Sequence, residues 1–448
     1  MEESVNKTLS WFFLLSQRRR IMSNQALVAI GVFLITYGLI ISEKIHRTIV
    51  AVLGGLIVIV LGIISQETAV HHIDFNTLGL LIGMMIIVAI TAQTGLFNYV
   101  AVWSAKKVQA DPRQILIALS IITGFFSALL DNVTTVLLMV PVTFSITRQL
   151  NINPMPYLIS QVLASNIGGT ATLIGDPPNI MIGSAVKELT FMAFINNLAA
   201  ISFLILFVTV YLLGYLYRKQ LVTDETLKTA LMTRDERVEI LDAPLLRKCL
   251  AVIAVTFAGF FAHQALHLES ATVALAGAFL LLLVTYRGEH DMEHVFRKVE
   301  WPTIFFFVGL FVLVGSLVET GVISLLAKSA IAWTGGDVTT AAMLILWLSA
   351  IASAFVDNIP FVATMIPLIQ DMGQLGIANL EPLWWSLALG ACLGGNGTLI
   401  GASANLIVAG LAAQEGHPIR FVDFLKIGFP LMILSIVISN VYIYLRYL

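Results

Sequence analysis

Charged residues are scarce in this chain of 448 residues. They make up 12% of the sequence, whereas 58% is hydrophobic and the mean hydropathy is +0.91. Soluble domains carry about a quarter charged residues. Because long apolar runs alternate with short charged clusters, we predict an all-α polytopic membrane protein. The apolar runs are continuous, which argues against the alternating pattern of a transmembrane β-barrel.

Other kinds of chemistry are also missing from the sequence. The two cysteines, Cys249 and Cys392, provide no disulfide framework. The histidines lack metal-ligand spacing, so we expect no metal site and no cofactor other than a coupling ion. No basic stripe indicates nucleic acid, and no Gly-x-x-x-x-Gly-Lys-Ser/Thr loop indicates ATP hydrolysis by the chain itself. No nucleophile–base pair is visible, so we do not expect an enzyme.

The N-terminal residues 1–24 are expected to lie at the membrane interface. Their longest apolar run, Trp11–Leu15, precedes the basic run Arg18–Arg20. This order is the reverse of a signal peptide, and the apolar run is too short to span a bilayer. The segment is therefore predicted to be an interfacial anchor.

Two polar stretches interrupt the apolar sequence, and each occurs twice. The pairs are Ser127–Pro141 with Ser353–Pro367, and Asn166–Asn179 with Gly394–Asn405. Asp131 and Asp357 differ by 226 positions (357 − 131), and so do Gly168 and Gly394 (394 − 168). Matching special residues at one fixed offset predicts an internal duplication.

The duplication predicts the domain organisation. Residues 25–217 would form a first membrane repeat, 218–248 a cytoplasmic linker with seven Lys/Arg and six Asp/Glu, and 249–448 a second repeat. Each repeat is predicted to have five crossings, one re-entrant hairpin and one broken helix. Five is an odd number, so the second repeat would be inverted relative to the first. The placement of Lys and Arg favours a cytoplasmic linker, although Arg18–Arg20 count against this orientation.

The duplicated stretches are the candidate substrate site. Glycine and proline permit unwound backbone, which is tolerated at membrane depth only inside protein or beside a cavity. Small residues also let helices pack closely, but two matched copies favour a binding site. The candidate substrate-binding residues are Asn132, Thr134, Gly168, Gly169, Thr170, Thr172, Asn179, Asn358, Gly394, Gly395, Asn396, Thr398, Ser403 and Asn405.

Four acidic residues lie within the apolar sequence, where each costs roughly 2.5–3.5 kcal/mol to insert. Asp131, Asp176, Asp357 and Glu319 are therefore the candidate proton- or cation-coupling residues. No Lys or Arg lies among them in the sequence. Asp131 and Asp357 could instead cap the hairpin tips, and Glu319 could be an interfacial hydrogen-bonding residue. For Cys392 we favour a packing role over that of a soft metalloid ligand.

These motifs resemble a known superfamily. Asp-Asn-Val-Thr-Thr at 131–135 and Gly-Gly-Thr-Ala-Thr-Leu-Ile-Gly-Asp-Pro-Pro-Asn at 168–179 are similar to the ion transporter superfamily, in the branch of the ArsB/NhaD permeases and the pigmentation P protein. The runs at 357–361 and 394–405 resemble the second-half motifs of that branch. The resemblance implies a scaffold domain, a mobile transport domain and frequent homodimers.

The resemblance also implies a function. The sodium-coupled carboxylate branch carries Ser-Asn-Thr at the hairpin tips, whereas Asp-Asn here favours proton coupling, with sodium as the alternative ion. Our first hypothesis is proton-coupled efflux of arsenite or antimonite across the cell (inner) membrane, because neutral arsenite needs no basic residue. A sodium/proton antiporter, an inorganic anion or carboxylate permease and a passive anion channel are the alternatives. The linker could also dock an energising ATPase subunit.

Overall fold

The computed structural model describes residues 24–42, 44–285 and 289–448, and the regular secondary structure in these ranges is helical. The expected interfacial segment lies outside them, apart from its last residue. The helices of the first repeat are α1 (Asn24–Ser42), α2 (Arg47–Val60), α3 (Gln66–His71), α4 (Phe75–Ala92), α5 (Leu96–Lys107), α6 (Pro112–Leu129), α7 (Asn132–Gln149), α8 (Met155–Gly169), α9 (Pro177–Ala185) and α10 (Phe191–Leu216).

The remaining helices include one in the linker and repeat much of this order. They are α11 (Glu225–Met232), α12 (Ala243–Ala262), α13 (Ser270–Thr285), α14 (Glu289–Arg297), α15 (Trp301–Glu319), α16 (Val322–Thr334), α17 (Val338–Phe355), α18 (Asn358–Gln374), α19 (Glu381–Gly394), α20 (Ser403–Gln414) and α21 (Phe421–Tyr447). The helix order from α4 to α9 corresponds to that from α15 to α20. The structure thus confirms the all-α class.

Eight helices of the described chain are long and apolar enough to cross a membrane, by length and composition. They are α1, α4, α6, α10, α12, α15, α17 and α21. The first arms of both hairpins, α6 and α17, are among them, with 18 residues each. These arms are therefore longer than the apolar runs in the sequence indicated, because polar residues at their ends also adopt helical conformation.

Both hairpins turn at the predicted aspartate. Leu130 and Asp131 separate α6 from α7, and Val356 and Asp357 separate α17 from α18. The helices of the second motif are broken where glycine and proline predict. Residues 170–176 separate α8 from α9, and residues 395–402 separate α19 from α20. Proline is favourable at the start of α9, because backbone N–H groups in the first helical turn have no acceptor within the helix and the lack of one costs nothing there.

Matched hydrogen bonds confirm the duplication. The hydroxyl of Ser127 donates to the carbonyl oxygen of Ser165 at 2.6 Å, and the hydroxyl of Ser353 donates to that of Ala391 at 2.6 Å. Donors and acceptors are each separated by 226 positions (353 − 127 and 391 − 165). In both repeats, therefore, the first hairpin arm is joined in the same way to the helix that precedes the break.

The two repeats also pack on each other reciprocally. Helix α20 contacts α7, and its counterpart α9 contacts α18, the counterpart of α7. Likewise α20 contacts α8, and α9 contacts α19. If the two repeats are exchanged, the α20–α7 contact becomes the α9–α18 contact, and the α20–α8 contact becomes the α9–α19 contact. This reciprocity is the property of an isologous interface around a two-fold axis. The repeats are thus related by a pseudo-two-fold axis.

Corresponding ends of the broken helices lie on opposite membrane faces. Glu415, just after α20, pairs with Arg148 near the end of α7, where Thr223 of the linker donates to the carbonyl oxygen of Leu150 at 2.5 Å. Lys187, just after α9, instead pairs at 3.4 Å with a glutamate in the loop that follows α12. Since α12 starts at the linker and is long enough to cross, this loop lies on the other face. This arrangement agrees with inverted topology.

The described chain divides into two compact units that do not follow the repeat boundary. One contains residues 24–42, 44–73 and 305–326, and the other contains 74–285, 289–304 and 327–448. Within the first unit α2 and α15 cross closely, because a Cβ atom at Gly55 would lie 2.9 Å from the carbonyl oxygen of Gly309. Both hairpins and both breaks belong to the second unit. The predicted boundaries at 217 and 249 remain a prediction about the repeats.

The linker is folded rather than merely solvated. It contains α11 and a 3₁₀ turn at Glu236–Glu239, and its last residues, 243–248, belong to α12, which Asp242 caps. Lys106 of α5 donates to Glu236 at 2.5 Å and to the carbonyl oxygen of Arg234 at 2.7 Å. Leu231 of α11 is fully buried. The linker therefore packs on the first repeat, although most of its charged side chains face solvent or are half-buried.

Candidate functional site

The unwound segment of the first repeat is held by one side chain. The amide of Asn179, in the first turn of α9, donates to the carbonyl oxygens of Thr172 at 2.9 Å, Thr170 at 3.2 Å and Gly169 at 3.4 Å. Unwound carbonyl groups inside a membrane protein need such partners. Asn179 thus supplies donors that the broken helix no longer provides.

The second repeat uses the same arrangement. The amide of Asn405 donates to the carbonyl oxygens of Gly395 at 2.8 Å and Thr398 at 2.9 Å. The hydroxyl of Thr398 donates to the carbonyl oxygen of Ala354, as that of Thr172 donates to Ala128 at 2.5 Å. The donor groups of these predicted substrate-binding residues therefore hold the broken helices in shape.

The predicted glycines allow backbones to approach closely. A Cβ atom at Gly168 would lie 2.0 Å from the carbonyl oxygen of Gly124, and one at Gly394 would lie 2.6 Å from that of Ala350. A Cβ atom at Gly169 would lie 2.5 Å from the carbonyl oxygen of Gly175. Their role in the structure is to let the hairpin arm and the unwound segment touch the preceding helix.

The aspartates at the hairpin tips cap helices. Asp131 accepts from the backbone N–H of Thr134 at 2.8 Å and also from its hydroxyl. Asp357 accepts from the N–H of Ile359 at 3.2 Å and from the hydroxyl of Ser403 at 3.1 Å. Both carboxylates are buried, and each is placed at a helix N-terminus, where a negative charge is favourable.

Asp176 lies where the two hairpin tips meet. Its side chain is fully buried, and its carboxylate accepts from the amides of Asn132 at 3.2 Å and Asn358 at 3.4 Å. These asparagines are repeat counterparts (358 − 132 = 226), one from each hairpin. The position corresponding to Asp176 is Ala402, so the centre of a symmetric arrangement carries a single acid. No Lys or Arg is among its described hydrogen-bond partners.

Asn166 connects the two repeats and was not among the predicted site residues. Its amide donates to the side-chain oxygens of Asn396 and Asn405, each at 2.9 Å, and its own oxygen accepts from Asn132 at 3.2 Å. The hydroxyl of Thr170 donates to its backbone carbonyl at 2.8 Å. One feature of the sequence could have indicated Asn166. It starts the repeated stretch 166–179, and its counterpart in the second repeat is a different residue, Cys392.

Cys392 occupies the equivalent place on the opposite side of the pseudo-two-fold axis. It is fully buried, and its thiol donates to the side-chain oxygen of Asn179 at 3.5 Å. The thiol also interacts with Asp176. The structure therefore places a thiol next to the central acid rather than against purely apolar neighbours.

Glu319 belongs to the other compact unit. It ends α15, its side chain is 47% exposed, and it pairs with the imidazole Nε2 of His72 at 3.0 Å. The ring of His72 packs on Gly315, because a Cβ atom at Gly315 would lie 2.5 Å from the Cγ atom of His72. This contact agrees with the alternative interpretation of Glu319 as a hydrogen-bonding residue, and its role in coupling stays a prediction. The sequence did not indicate His72 as the partner, because the two residues are distant in the chain.

The second unit thus combines three buried carboxyl groups, several asparagine amides and one thiol. The amides of Asn132, Asn166 and Asn358 converge on or beside Asp176. Such a centre can hold a proton or a small cation at the carboxylate and can hydrogen-bond hydroxyl groups of a solute. Within the described residues, no group of three or more His, Cys, Asp or Glu side chains is arranged to hold a metal ion.

Comparison with known proteins gives a consistent picture. The sequence model of the CitMHS citrate transporter family matches residues 37–390. An uncharacterized transporter of Mycobacterium bovis is 43% identical over 94% of this chain and 99% of its own length. The P protein of Homo sapiens is 34% identical over 94% of this chain and 60% of its own length.

A solved structure shows the same fold. The YdaH transporter of Alcanivorax borkumensis aligns with a TM-score of 0.56 over 94% of this chain and 98% of its own, at 13% sequence identity. At this identity the similarity concerns the fold alone. It agrees with the membrane architecture derived above from the repeats.

Proposed function

Because the chain belongs to the CitMHS citrate transporter family and is a multi-pass membrane transporter, we propose that it couples solute movement to protons at Asp176. The proposed solute is a small neutral polyhydroxyl species, with arsenite and antimonite as the first candidates for export across the cell (inner) membrane. The single observation that carries the proposal is the position of Asp176 between the asparagines of both hairpin tips.

Electrostatics favours a proton or cation at this place. An ionised carboxylate buried without a cationic partner is costly, so it takes up a proton, binds a cation or becomes hydrated. Asp176 is fully buried, and its described partners are the neutral amides of Asn132 and Asn358 and the thiol of Cys392. A group of this kind can change its proton or ion when it is exposed in turn to each side of the membrane.

A neutral solute suits the remaining side chains. Free anions would be repelled by ionised carboxylates at positions 131, 176 and 357, whereas arsenite offers hydroxyl groups to amides. Trivalent arsenic is also a soft centre that favours sulfur ligands. The buried thiol of Cys392 beside Asn179 supports this choice.

A carboxylate is the second candidate, and the description of the matching family favours it. A citrate-like solute would need its charge compensated, either by protons on the aspartates or by a cation carried with it. If the same aspartates instead bound sodium in exchange for protons, the protein would be a sodium/proton antiporter. The same experiment distinguishes all three.

The test uses purified protein in liposomes with an imposed pH gradient. Proton flux is recorded on addition of arsenite, antimonite, citrate, sodium or lithium. We expect arsenite-dependent proton flux in the wild type and background flux in Asp176→Asn. The matched control is Asp111→Asn, because Asp111 caps α6 away from the site and asparagine caps a helix almost equally well.

Other outcomes assign the function differently. A response to citrate alone would favour the carboxylate transporter, and a response to sodium or lithium alone the cation antiporter. If Asp176→Asn retained coupled flux while Asp131→Asn or Asp357→Asn lost it, coupling would belong to the hairpin tips. Flux that ignored the pH gradient and survived all three substitutions would contradict proton coupling.

A further inference from the structure

A cavity of about 360 Å³ with both polar and apolar lining residues lies next to the unwound segment of the first repeat. Its lining includes Asn76, Lys187, Glu269 and Ser270, and it also includes Leu173 of the unwound segment. The volume falls within the range of small-molecule sites, about 300–1,000 Å³. The cavity therefore reaches the unwound segment at Leu173, which precedes Asp176 by three residues in the chain.

The cavity opens on the face opposite the linker. Its outer part is formed by the residues that follow α9 and by the loop between α12 and α13, and the exposed pair Lys187–Glu269 lies there. Two residues of its lining are closely packed, because a Cβ atom at Gly183 would be 2.5 Å from the Cδ1 atom of Leu173. Leu173 itself is only 2% exposed.

The corresponding place in the second repeat is filled with apolar side chains. Leu399 is the counterpart of Leu173 (399 − 173 = 226), and it belongs to a buried cluster with Val133 and Val136 of α7 and Val408 of α20. This cluster lies on the path to the linker face, where Glu415 pairs with Arg148. Leu173 thus lines a cavity, whereas Leu399 is packed among apolar side chains, and the two leucines are similarly buried, at 2% and 8% exposure.

We propose that this cavity is the vestibule through which a small hydrophilic solute and protons reach the Asp176 centre from the face opposite the linker, with Leu173 as its floor. Leu399 forms the closed counterpart on the linker face. The proposal rests on the transport activity of the family and on no particular solute. It concerns only which residues are reached by water in this state.

Cysteine labelling tests the vestibule. Leu173→Cys and Ser270→Cys are each treated with a membrane-impermeant cationic methanethiosulfonate reagent, applied to either face of oriented vesicles. Ser270→Cys changes a single atom, so it remains informative if Leu173→Cys folds poorly. The wild type gives the background, because both native cysteines, Cys249 and Cys392, are buried. Leu399→Cys is the matched control.

We expect both vestibule cysteines to react from the face opposite the linker. Leu399→Cys should react at least about tenfold more slowly from the linker face, because a minor conformation is populated at about 10% or less. Equal or faster reaction at Leu399→Cys would overturn the proposal. So would unreactive vestibule cysteines in protein that elutes as a folded species. Because labelling requires no solute, failure of arsenite transport would leave this result unaffected.

Discussion

At the scale of single residues, function is expected where the two repeats differ. Both repeats have the break, the serine contact and an aspartate that caps the second hairpin arm, so these features are properties of the shared scaffold. Position 176 carries Asp where its counterpart is Ala402, and position 166 carries Asn where its counterpart is Cys392. Both differences lie at the centre, so a symmetric scaffold surrounds an asymmetric site.

Asn166 should matter more than its counterpart. Asn166→Ala removes the donor to Asn396 and Asn405, and interhelical hydrogen bonds in membranes contribute about 1–2 kcal/mol at most. We expect a lower free energy of unfolding by about this amount, together with weaker solute binding. Thermal unfolding in detergent and the KM for the transported solute measure the two effects.

The control for this substitution is Cys392→Ala. The thiol donates to Asn179 at 3.5 Å and also interacts with Asp176, but a thiol is a weak hydrogen-bond donor, so we expect a smaller loss of stability. If Cys392→Ala were the more destabilising of the two, the connecting role assigned to Asn166 would be wrong. A change in KM only for Cys392→Ala would instead point to the thiol as a solute ligand.

At the scale of helices, the broken helices depend on close backbone contact. Helix α8 approaches α6 so closely that no side chain fits at Gly168. The same contact recurs between α19 and α17 at Gly394. Such positions explain why small residues and breaks occur together in this motif, since the unwound segment must fit against the hairpin arm.

Gly168→Ala should therefore destabilise the protein. Its Cβ atom would meet the backbone oxygen of Gly124, which cannot rotate away, and overpacking of this kind costs about 1–3 kcal/mol. Gly410→Ala in α20 is the control, because nothing lies within 4 Å of its added methyl group. We expect Gly410→Ala to be neutral or slightly stabilising in thermal unfolding. Equal destabilisation by both would exclude the steric explanation.

At the scale of the whole molecule, the inverted repeats place equivalent helix ends on opposite faces. The linker connects the repeats and also packs on the first of them through Lys106 and Glu236. The donation from Lys106 holds the pKa of the Glu236 carboxyl below its ordinary value of 4.5. The ion pair thus stabilises the linker only while this carboxyl is ionised.

The linker contact should consequently depend on pH. Because the pKa is lowered in the folded state, the stabilisation is present above the ordinary pKa and is lost as the pH falls through the folded-state pKa. We expect Glu236→Gln to speed proteolysis of the linker at neutral pH, with the difference from wild type shrinking as the pH falls below about 4.5, the ordinary pKa of this carboxyl. Glu225→Gln, in the local pair with Lys228 of α11, is the control. A difference that persisted in acid would contradict this account.

Several features followed from the sequence by itself. The offset of 226 positions predicted the duplication, and the glycine and proline residues predicted the breaks, because these residues determine local backbone conformation. The Asp-Asn pairs correctly marked the hairpin turns. The odd number of predicted crossings indicated inversion, which agrees with the opposite locations of Lys187 and Glu415.

The tertiary structure decided which side chains meet. Sequence spacing could not show that Asn132 and Asn358 both reach Asp176, because hydrogen bonds between repeats join residues far apart in the chain. For the same reason it missed Asn166 and the His72–Glu319 pair. Local preferences thus determined the helices and their breaks, whereas the packing of one repeat on the other determined the centre.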